Sequence, residues 1–312
     1  MKKKILVVGS SNIDLIMKMD RLPKRGETVV DAIFMQTFGG KGANQAVGAV
    51  KAGGDVYFAN CVGDDRYGTA IIDNMKAAGI HTDYIFQEKG IASGTALIMI
   101  GGDGENYISV APGANYRLSP THIDQVNKLI PEAAILLLQY EITEETLHYV
   151  VDIAYAAGVP VMLNLAPARP IQAESLRKLT YLVVNETEAE FLCGFPVNSP
   201  TAIEHAAHTL LSMGPKTVIL TMGAQGSIIV HKDKQQKVPG FKVKAIDTTA
   251  AGDIFCGSLA TALVEGKSLE AGIRFASAAS AISVTRLGAQ PSTPTREEID
   301  TFLANHPEES LV

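Results

Sequence analysis

The chain has 312 residues, 46% of them hydrophobic, and its 27 basic and 33 acidic side chains give a formal net charge of −6. That size and composition suit one large core with a small accessory element and exclude disordered and fibrous classes, and no apolar run reaches the roughly 18 residues of a membrane span. The charge is spread without basic blocks, Trp is absent and aromatics are 6%, which excludes a nucleic-acid footprint and a base-stacking platform.

Lys2 to Lys4 carry charge like the start of a signal peptide, but the apolar stretch Ile5 to Val8 ends at Gly9-Ser10-Ser11-Asn12. A buried first strand over Lys4 to Val8 is expected, in a cytoplasmic protein. The three cysteines, Cys61, Cys193 and Cys256, have no CxxC spacing and read as small buried hydrophobes in a reducing compartment rather than as a disulfide framework or zinc site. Asn12 and Asp14 follow the strand, where side chains two apart share a direction and a carboxylate suits recognition of a polyol. A solvated loop acid is the plain alternative.

Residues 13–38 hold two strand-like pieces, Leu15 to Met19 and Glu27 to Phe34, around Leu22-Pro23-Lys24-Arg25-Gly26. Next comes Gly39-Gly40-Lys41-Gly42-Ala43-Asn44, leading into a helical pattern from Gln45 to Gly53. Paired glycines allow close backbone approach to a ligand, and Lys41 and Asn44 supply donors beside it. The order is not that of a P-loop, and an ordinary strand-turn-helix junction uses the same residues. A second strand pair, Thr95 to Ile100 and Asn106 to Val110, flanks the turn Gly101-Gly102-Asp103-Gly104. Residues 13–38 and 95–110 do not alternate with helices and are expected to form a small β-sheet lid.

Elsewhere strands and helices alternate. Apolar runs at Val56 to Asn60, Ile135 to Leu138, Val159 to Leu163, Tyr181 to Val184 and Val218 to Leu220 are interleaved with helical patterns such as Tyr67 to Ala78, Thr143 to Ala157 and Ala202 to Met213. This spacing predicts an α/β fold with three layers, a mostly parallel sheet between helices, and ligands beyond the carboxyl ends of its strands. Glu141 lies just past one such end. Asn185 and Glu188 lie past another, spaced to share one side of a helical turn and to orient phosphate through a hydrated Mg²⁺; a capping box has the same spacing. Thr221-Met222-Gly223-Ala224-Gln225-Gly226 suits either a nucleotide-binding loop or a plain hairpin.

The sharpest signal is Asp247-Thr248-Thr249-Ala250-Ala251-Gly252-Asp253, where small residues open an apolar helical pattern running from Gly252 to Glu265. Amides at such a helix start stabilise charge on a transferring phosphoryl group, and Asp253 is placed to take a proton from an attacking hydroxyl. A simple helix cap is the other reading. Helices over Leu269 to Ser283 and from about Thr293-Pro294 complete the chain, joined by Thr285-Arg286-Leu287-Gly288-Ala289-Gln290-Pro291-Ser292.

Together, GGKGANQAV (Gly39 to Val47), NETEAE (Asn185 to Glu190), DTTAAGD (Asp247 to Asp253) and TRLGAQPS (Thr285 to Ser292) resemble the ribokinase (PfkB) family of carbohydrate kinases, over nearly the whole chain. The resemblance implies a single ribokinase-like α/β domain over 1–312, ATP as phosphate donor, Mg²⁺ and K⁺ as cofactors, and homodimers formed through the lids. It implies phosphorylation of D-ribose at O5, with deoxyribose, another small sugar or a nucleoside as the alternative acceptor and a non-catalytic sugar or nucleotide sensor as the remaining one. It assigns Asp253 as base, with Ala251 and Gly252 in the anion hole. Asn12, Asp14, Gly40, Lys41, Gly42, Ala43, Asn44 and Glu141 fall to the sugar. Asn185, Thr221 to Gly226, Gly252 and Ser277 fall to the nucleotide, and Asn185 and Glu188 to the Mg²⁺ region through water. Asp247, Thr249, Ser283, Arg286, Gly288 and Ser292 fall to K⁺, with Arg286 through its carbonyl because a guanidinium has no acceptor. Two departures stand out: Ile254-Phe255-Cys256-Gly257 where Thr-Phe-Asn-Gly is frequent, and Ser277 where a larger polar residue is frequent.

Overall fold

Leu6 and Val8 belong to one apolar cluster and Ile5 and Val7 to another, so the first strand is buried on both faces and helices must cover both. The computed structural model describes residues 2–102, 105–232 and 234–307. Its strands are β1 Lys4–Val8, β2 Asn12–Lys18, β3 Ile33–Gly39, β4 Asp55–Gly63, β5 His81–Glu88, β6 Gly94–Ile100, β7 Asn106–Ala111, β8 Ala133–Gln139, β9 Val161–Asn164, β10 Tyr181–Asn185, β11 Thr217–Thr221, β12 Ser227–His231 and β13 Lys234–Val238. Its α-helices are α1 Lys41–Lys51, α2 Arg66–Ala77, α3 Pro120–Val126, α4 Glu144–Ala156, α5 Ala173–Lys178, α6 Glu186–Cys193, α7 Pro200–Ser212, α8 Ala251–Val264, α9 Leu269–Ser283 and α10 Arg296–Asn305.

The large sheet has nine strands in the order β13-β12-β11-β10-β9-β8-β1-β4-β5. All neighbours are parallel except the β11–β12 and β12–β13 pairs. Ile123, Leu147, Leu176, Ala189 and Ile203 pack α3 to α7 on the face carrying Leu6 and Val8. Ala46, Ile71, Phe255 and Ile273 pack α1, α2, α8 and α9 on the face carrying Ile5 and Val7. The expected three-layer α/β architecture is what forms. Among the described residues, no helix is long and apolar enough to cross a membrane.

The two strand pairs outside this rhythm join into one four-stranded sheet, β3-β2-β6-β7, through the parallel pairing of β2 with β6. Its second strand lies later than the sequence predicts. Instead of Glu27 to Phe34, β3 is Ile33–Gly39, because the antiparallel register pairs Asn12 with Gly39 and Lys18 with Ile33. Asp103 and Gly104 of the predicted β6–β7 turn lie outside the described residues.

The first lid strand begins earlier than predicted, at Asn12 rather than Leu15, and two helix starts also shift for local reasons. Helix α1 begins at Lys41 rather than Gln45, with Gly40 at its N-cap position in the positive-φ region (φ 86°) that favours glycine. Helix α10 begins at Arg296 under a Thr295–Glu298 capping box, so Pro294 precedes the helix rather than opening it.

Candidate active site

Two helices of the same face make the centre of the site. Gly48 and Gly257 let α1 and α8 approach closely: a Cβ on Gly257 would lie 2.3 Å from the Gln45 carbonyl oxygen, and one on Gly48 would lie 3.2 Å from Ile254 Cα. That proximity brings Asn44 and Gln45 to Asp253, in the first turn of α8. Asn44 Nδ2 donates to Asp253 Oδ2 at 3.1 Å, and Gln45 Nε2 donates to Asp253 Oδ1 at 3.1 Å. Burial drives the Asp253 carboxyl above its ordinary range, against the opposing pull of Lys41, Asn44 and Gln45. Lys41 is held above its own ordinary value, first by Asp253 and then, against burial, by Glu141 and Glu188.

The turn before Asp253 is bent by Ala250 at φ 60°. The Ala251 N–H donates to the Thr248 carbonyl at 3.2 Å. Gly252 opens outward, since a Cβ there would meet nothing within 4 Å. Its amide belongs to the first turn, which has no partner inside the helix.

The glycines before α1 serve a different contact from the one their pairing suggests. A Cβ on Gly39 would lie 2.1 Å from Asp14 Oδ2, one on Gly40 2.6 Å from Ser11 Cα, and one on Gly42 2.5 Å from the Ser10 nitrogen. They let α1 seat on the β1–β2 connection, and the Ala43 N–H donates to the Ser10 carbonyl at 2.8 Å. Seated there, the Lys41 amide donates to Glu141 Oε2 at 3.0 Å, and that oxygen also accepts from Ser10 Oγ at 2.5 Å.

Asn12 and Asp14 are both buried on β2, in the small sheet rather than in a loop. Asn12 Oδ1 accepts from Asn115 Nδ2 at 2.8 Å, a partner with no sequence signal. Asp14 is pushed up to about 7, first by burial and then by the carboxylates of Glu141 and Asp253. Residues predicted from four separate segments therefore converge: Asp14, the Lys41-to-Asn44 turn, Glu141 and Asp253.

Beside this cluster lie two adjoining cavities of about 270 and 200 Å³. Thr221, Thr248, Ala251, Gly252 and Phe255 line both. The smaller is polar, with Lys41, Asn164, Asn185, Glu188 and Asp253 in its wall. The larger is mostly apolar, lined among others by Gly223, Ala224, Gly226, Phe241, Val243 and Ser277. One end suits phosphates and the other a flat apolar ring. Residues 221–226 are both things the sequence allows: they join antiparallel β11 and β12, and they line the larger cavity. Two of them do not line it. Met222 is buried in the core and its N–H donates to the Gly226 carbonyl at 2.8 Å, while the Gln225 N–H closes the same turn on the Met222 carbonyl.

Asn185 and Glu188 form the capping box: the Glu188 N–H donates to Asn185 Oδ1 at 2.8 Å, and the Asn185 N–H donates to Glu188 Oε2 at 2.9 Å. The box uses one of the two Glu188 oxygens, and both residues line the polar cavity. Burial raises the Glu188 carboxyl.

Asp247 ties two loops together, accepting from the Thr249 N–H and the Gly288 N–H at 2.9 Å each. Burial pushes its carboxyl up, but hydrogen bonds from Thr249 and Gly288 outweigh that and hold it low. Ser283 Oγ donates to the Ser280 carbonyl and Ser292 Oγ to the Ala289 carbonyl, both at 2.8 Å, which commits the hydrogens of these buried hydroxyls and leaves their oxygen lone pairs to accept. The Arg286 guanidinium pairs with Glu298 at 2.6 Å.

The pattern of pfkB family carbohydrate kinases matches residues 2–296. A ribokinase of Bacillus subtilis is 41% identical over 97% of this chain and 100% of its own length. The chain belongs to the pfkB family of carbohydrate kinases. A deoxyribokinase of Salmonella typhi is 37% identical over 96% of this chain and 98% of its own. The solved structure of Arabidopsis thaliana ribokinase complexed with ribose and ATP superposes with a TM-score of 0.91 at 35% identity, covering 97% of this chain and 99% of that one.

Both departures from the pattern of this carbohydrate kinase family have local explanations. Ile254 and Cys256 point into packed interior, Ile254 among α8, α9 and α10 and Cys256 beneath the sheet. Ser277 lines the larger cavity, where a small side chain leaves room. The site also holds residues outside the predicted set, above all Asn115 and Asn164, which have no sequence signal, and Gln45, which lies in the matching stretch Gly39 to Val47 without a role of its own there. A run of polar and small residues in α1 does not reveal which of them meets Asp253. Outside the site, Cys61, Glu88 and His122 each bring one ligand atom within 4.8 Å of the others, a grouping of separate elements that cysteine spacing does not reveal. There His122 Nε2 pairs with Glu88 at 3.1 Å, and burial pushes the Cys61 thiol up to about 12.

Proposed function

We propose that this ATP-dependent sugar kinase transfers the γ-phosphoryl group of ATP to O5 of D-ribose, giving ADP and D-ribose 5-phosphate. The observation that carries this reading is the position of Asp253: its carboxylate accepts from Asn44 within the hydrogen-bonded polar cluster and also lines the cavity of Asn185, Glu188 and Gly252. A hydroxyl held on the Asn44 side gives its proton to Asp253 as its oxygen attacks phosphorus, and the bond to the ADP oxygen breaks. The raised Asp253 carboxyl suits a base, and the Gly252 amide with the helix N-terminus meets charge on the transferring group. Asn12, Asp14, residues 40–44 and Glu141 hold the sugar. The larger cavity, with Thr221, Gly223, Ala224, Gly226 and Ser277 in its wall, holds the nucleoside.

Two cations complete this reading. The Glu188 oxygen left over from the capping box and the Asn185 side chain fit a hydrated Mg²⁺, which would neutralise phosphate charge. Asp247, the acceptor hydroxyls of Ser283 and Ser292, and the carbonyls of Thr249, Arg286 and Gly288 make an all-oxygen set that fits K⁺, which would hold the loops flanking the anion hole. The small sheet acts as a lid that excludes water. Its exposed Phe34, Tyr107 and Ile108 support pairing of two lids in a homodimer, and three free cysteines support a cytoplasmic setting.

Deoxyribose is the second acceptor to consider, given the 37% identity to a deoxyribokinase. A phosphorylation screen of pentoses, deoxyribose and nucleosides with ATP, Mg²⁺ and K⁺ tests the assignment. Ribose is expected to give the highest kcat/KM, and another acceptor far ahead of it would replace the substrate. Wild-type turnover by Asp253→Ala would remove the base.

A further inference from the structure

Gln45 has no exposed surface, yet its side-chain amide is bonded at three points. Nε2 donates to Asp253 Oδ1 at 3.1 Å and to Asn164 Oδ1 at 3.2 Å, and Oε1 accepts from Gln139 Nε2 at 2.8 Å. The direction of the amide is set at the Asp253 end, and Gln139 completes it. An ionised Asp253 only accepts, and Gln139 presents a donor; a reversed Gln45 would set oxygen against a carboxylate. Gln139 is itself fully buried and, among the described residues, leaves its Oε1 without a hydrogen-bond partner. Such an orphaned acceptor is normally avoided in an interior. Here it is the far end of a chain running Gln139 to Gln45 to Asp253. Gly9 leaves the space, since a Cβ there would lie 1.9 Å from that oxygen.

We infer that Gln45, backed by Gln139, is a positioning residue for the base: it holds Asp253 Oδ1 from behind the site, while Oδ2, which accepts from Asn44 on the sugar side, is the oxygen that receives the proton. The inference rests on Asp253 being the base of the proposed transfer. The charges around Asp253 make a neutral donor matter. Lys41 of α1 favours the ionised carboxylate, while Asp14 of β2, Glu141 beyond β8 and Glu188 of α6 oppose it. Cys256, on the same helix, has its thiol driven up by burial and stays neutral. Three nearby acids against one lysine leave the carboxylate dependent on its amide donors.

The test is steady-state kinetics with ATP and D-ribose from pH 5 to 9 on Gln45→Leu, Gln45→Glu, Gln139→Leu and the reference Asp253→Asn. Glu keeps the length and shape of the side chain and Leu most of its bulk, so a purely space-filling role survives Glu in full and Leu in large part. The expected result for both Gln45 variants is a kcat lower by about 10–100-fold, a ribose KM changed by less than about threefold, and an acidic limb moved up by roughly one pH unit. Gln139→Leu should move the limb the same way by less, and Gln45→Leu should cost little more when added to Asp253→Asn. Asp253→Asn inactive with both Gln45 variants within twofold of wild type overturns this inference and leaves the base assignment. Asp253→Asn near wild-type turnover overturns both. A lower melting temperature with an unmoved limb assigns Gln45 to packing and also overturns the inference.

Discussion

Glu141 Oε2 accepts the backbone N–H of Lys41 at 3.0 Å, so an acid just beyond the end of β8 pins the first turn of α1. This bond makes Glu141 a support for the helix as well as a candidate sugar ligand. Glu141→Ala should lose about 1–2 kcal/mol and raise the sugar KM more than about tenfold. Glu141→Gln keeps an acceptor oxygen and should retain most of the stability. Chemical denaturation alongside ribose titration checks this, and equal stability loss in the two variants would contradict the pinning role.

Gly257 and Gly252, five residues apart on α8, should respond oppositely to one added methyl. A Cβ at Gly257 meets the Gln45 carbonyl oxygen at 2.3 Å, whereas one at Gly252 meets nothing. Gly257→Ala should force α1 and α8 apart and cost about 2–4 kcal/mol. Gly252→Ala should leave the melting temperature nearly unchanged while lowering turnover more than about tenfold, because its methyl enters the polar cavity beside Asp253, where the proposed transfer puts phosphate. Thermal melts paired with kcat separate the two, and an active Gly252→Ala would argue against phosphate lying there.

Asp14 gives the apo protein a pH-dependent weakness. Its carboxyl is raised to about 7 from an ordinary 3.8, so between those values the folded chain binds the extra proton and stability falls as pH rises. The penalty is complete above about 7 and gone below about 4. Asp14→Asn should therefore stabilise the sugar-free protein at pH 8, on the order of 1–3 kcal/mol, and progressively less toward pH 4. Melting curves across that range test the sign. A benefit that grows toward acid would refute the proposed burial cost.

Asp247 behaves in the opposite sense. Its carboxyl is held low in the folded state, so the stability it contributes is present above its unfolded value and is lost as pH falls through the lower folded value. Being partly exposed, it should contribute about 1 kcal/mol at neutral pH. Asp247→Asn should cost that amount, and on the proposed K⁺ assignment it should also abolish any advantage of K⁺ over Na⁺ in kcat. Kinetics at constant ionic strength decides the second part. Full K⁺ activation in the variant would move the cation elsewhere.

The sequence by itself determined the alternation of strands and helices and the parallel core. Burial on both faces leaves continuous apolar runs, and these are properties of short windows. It also marked Asp253, Lys41, Glu141 and Asn185, because acids, amides and glycines at strand and helix ends stand out from apolar surroundings. Edge strands β5 and β13 escaped notice, since HTDYIFQE and KQQKV are polar on an edge that meets water. Only the tertiary structure decided which donors meet Asp253. Gln45 reaches Asp253 across 208 residues because two glycines let α1 and α8 touch, and Met222 turns into the core while its neighbours line a cavity. Such choices depend on the approach of distant backbones, which no local pattern encodes.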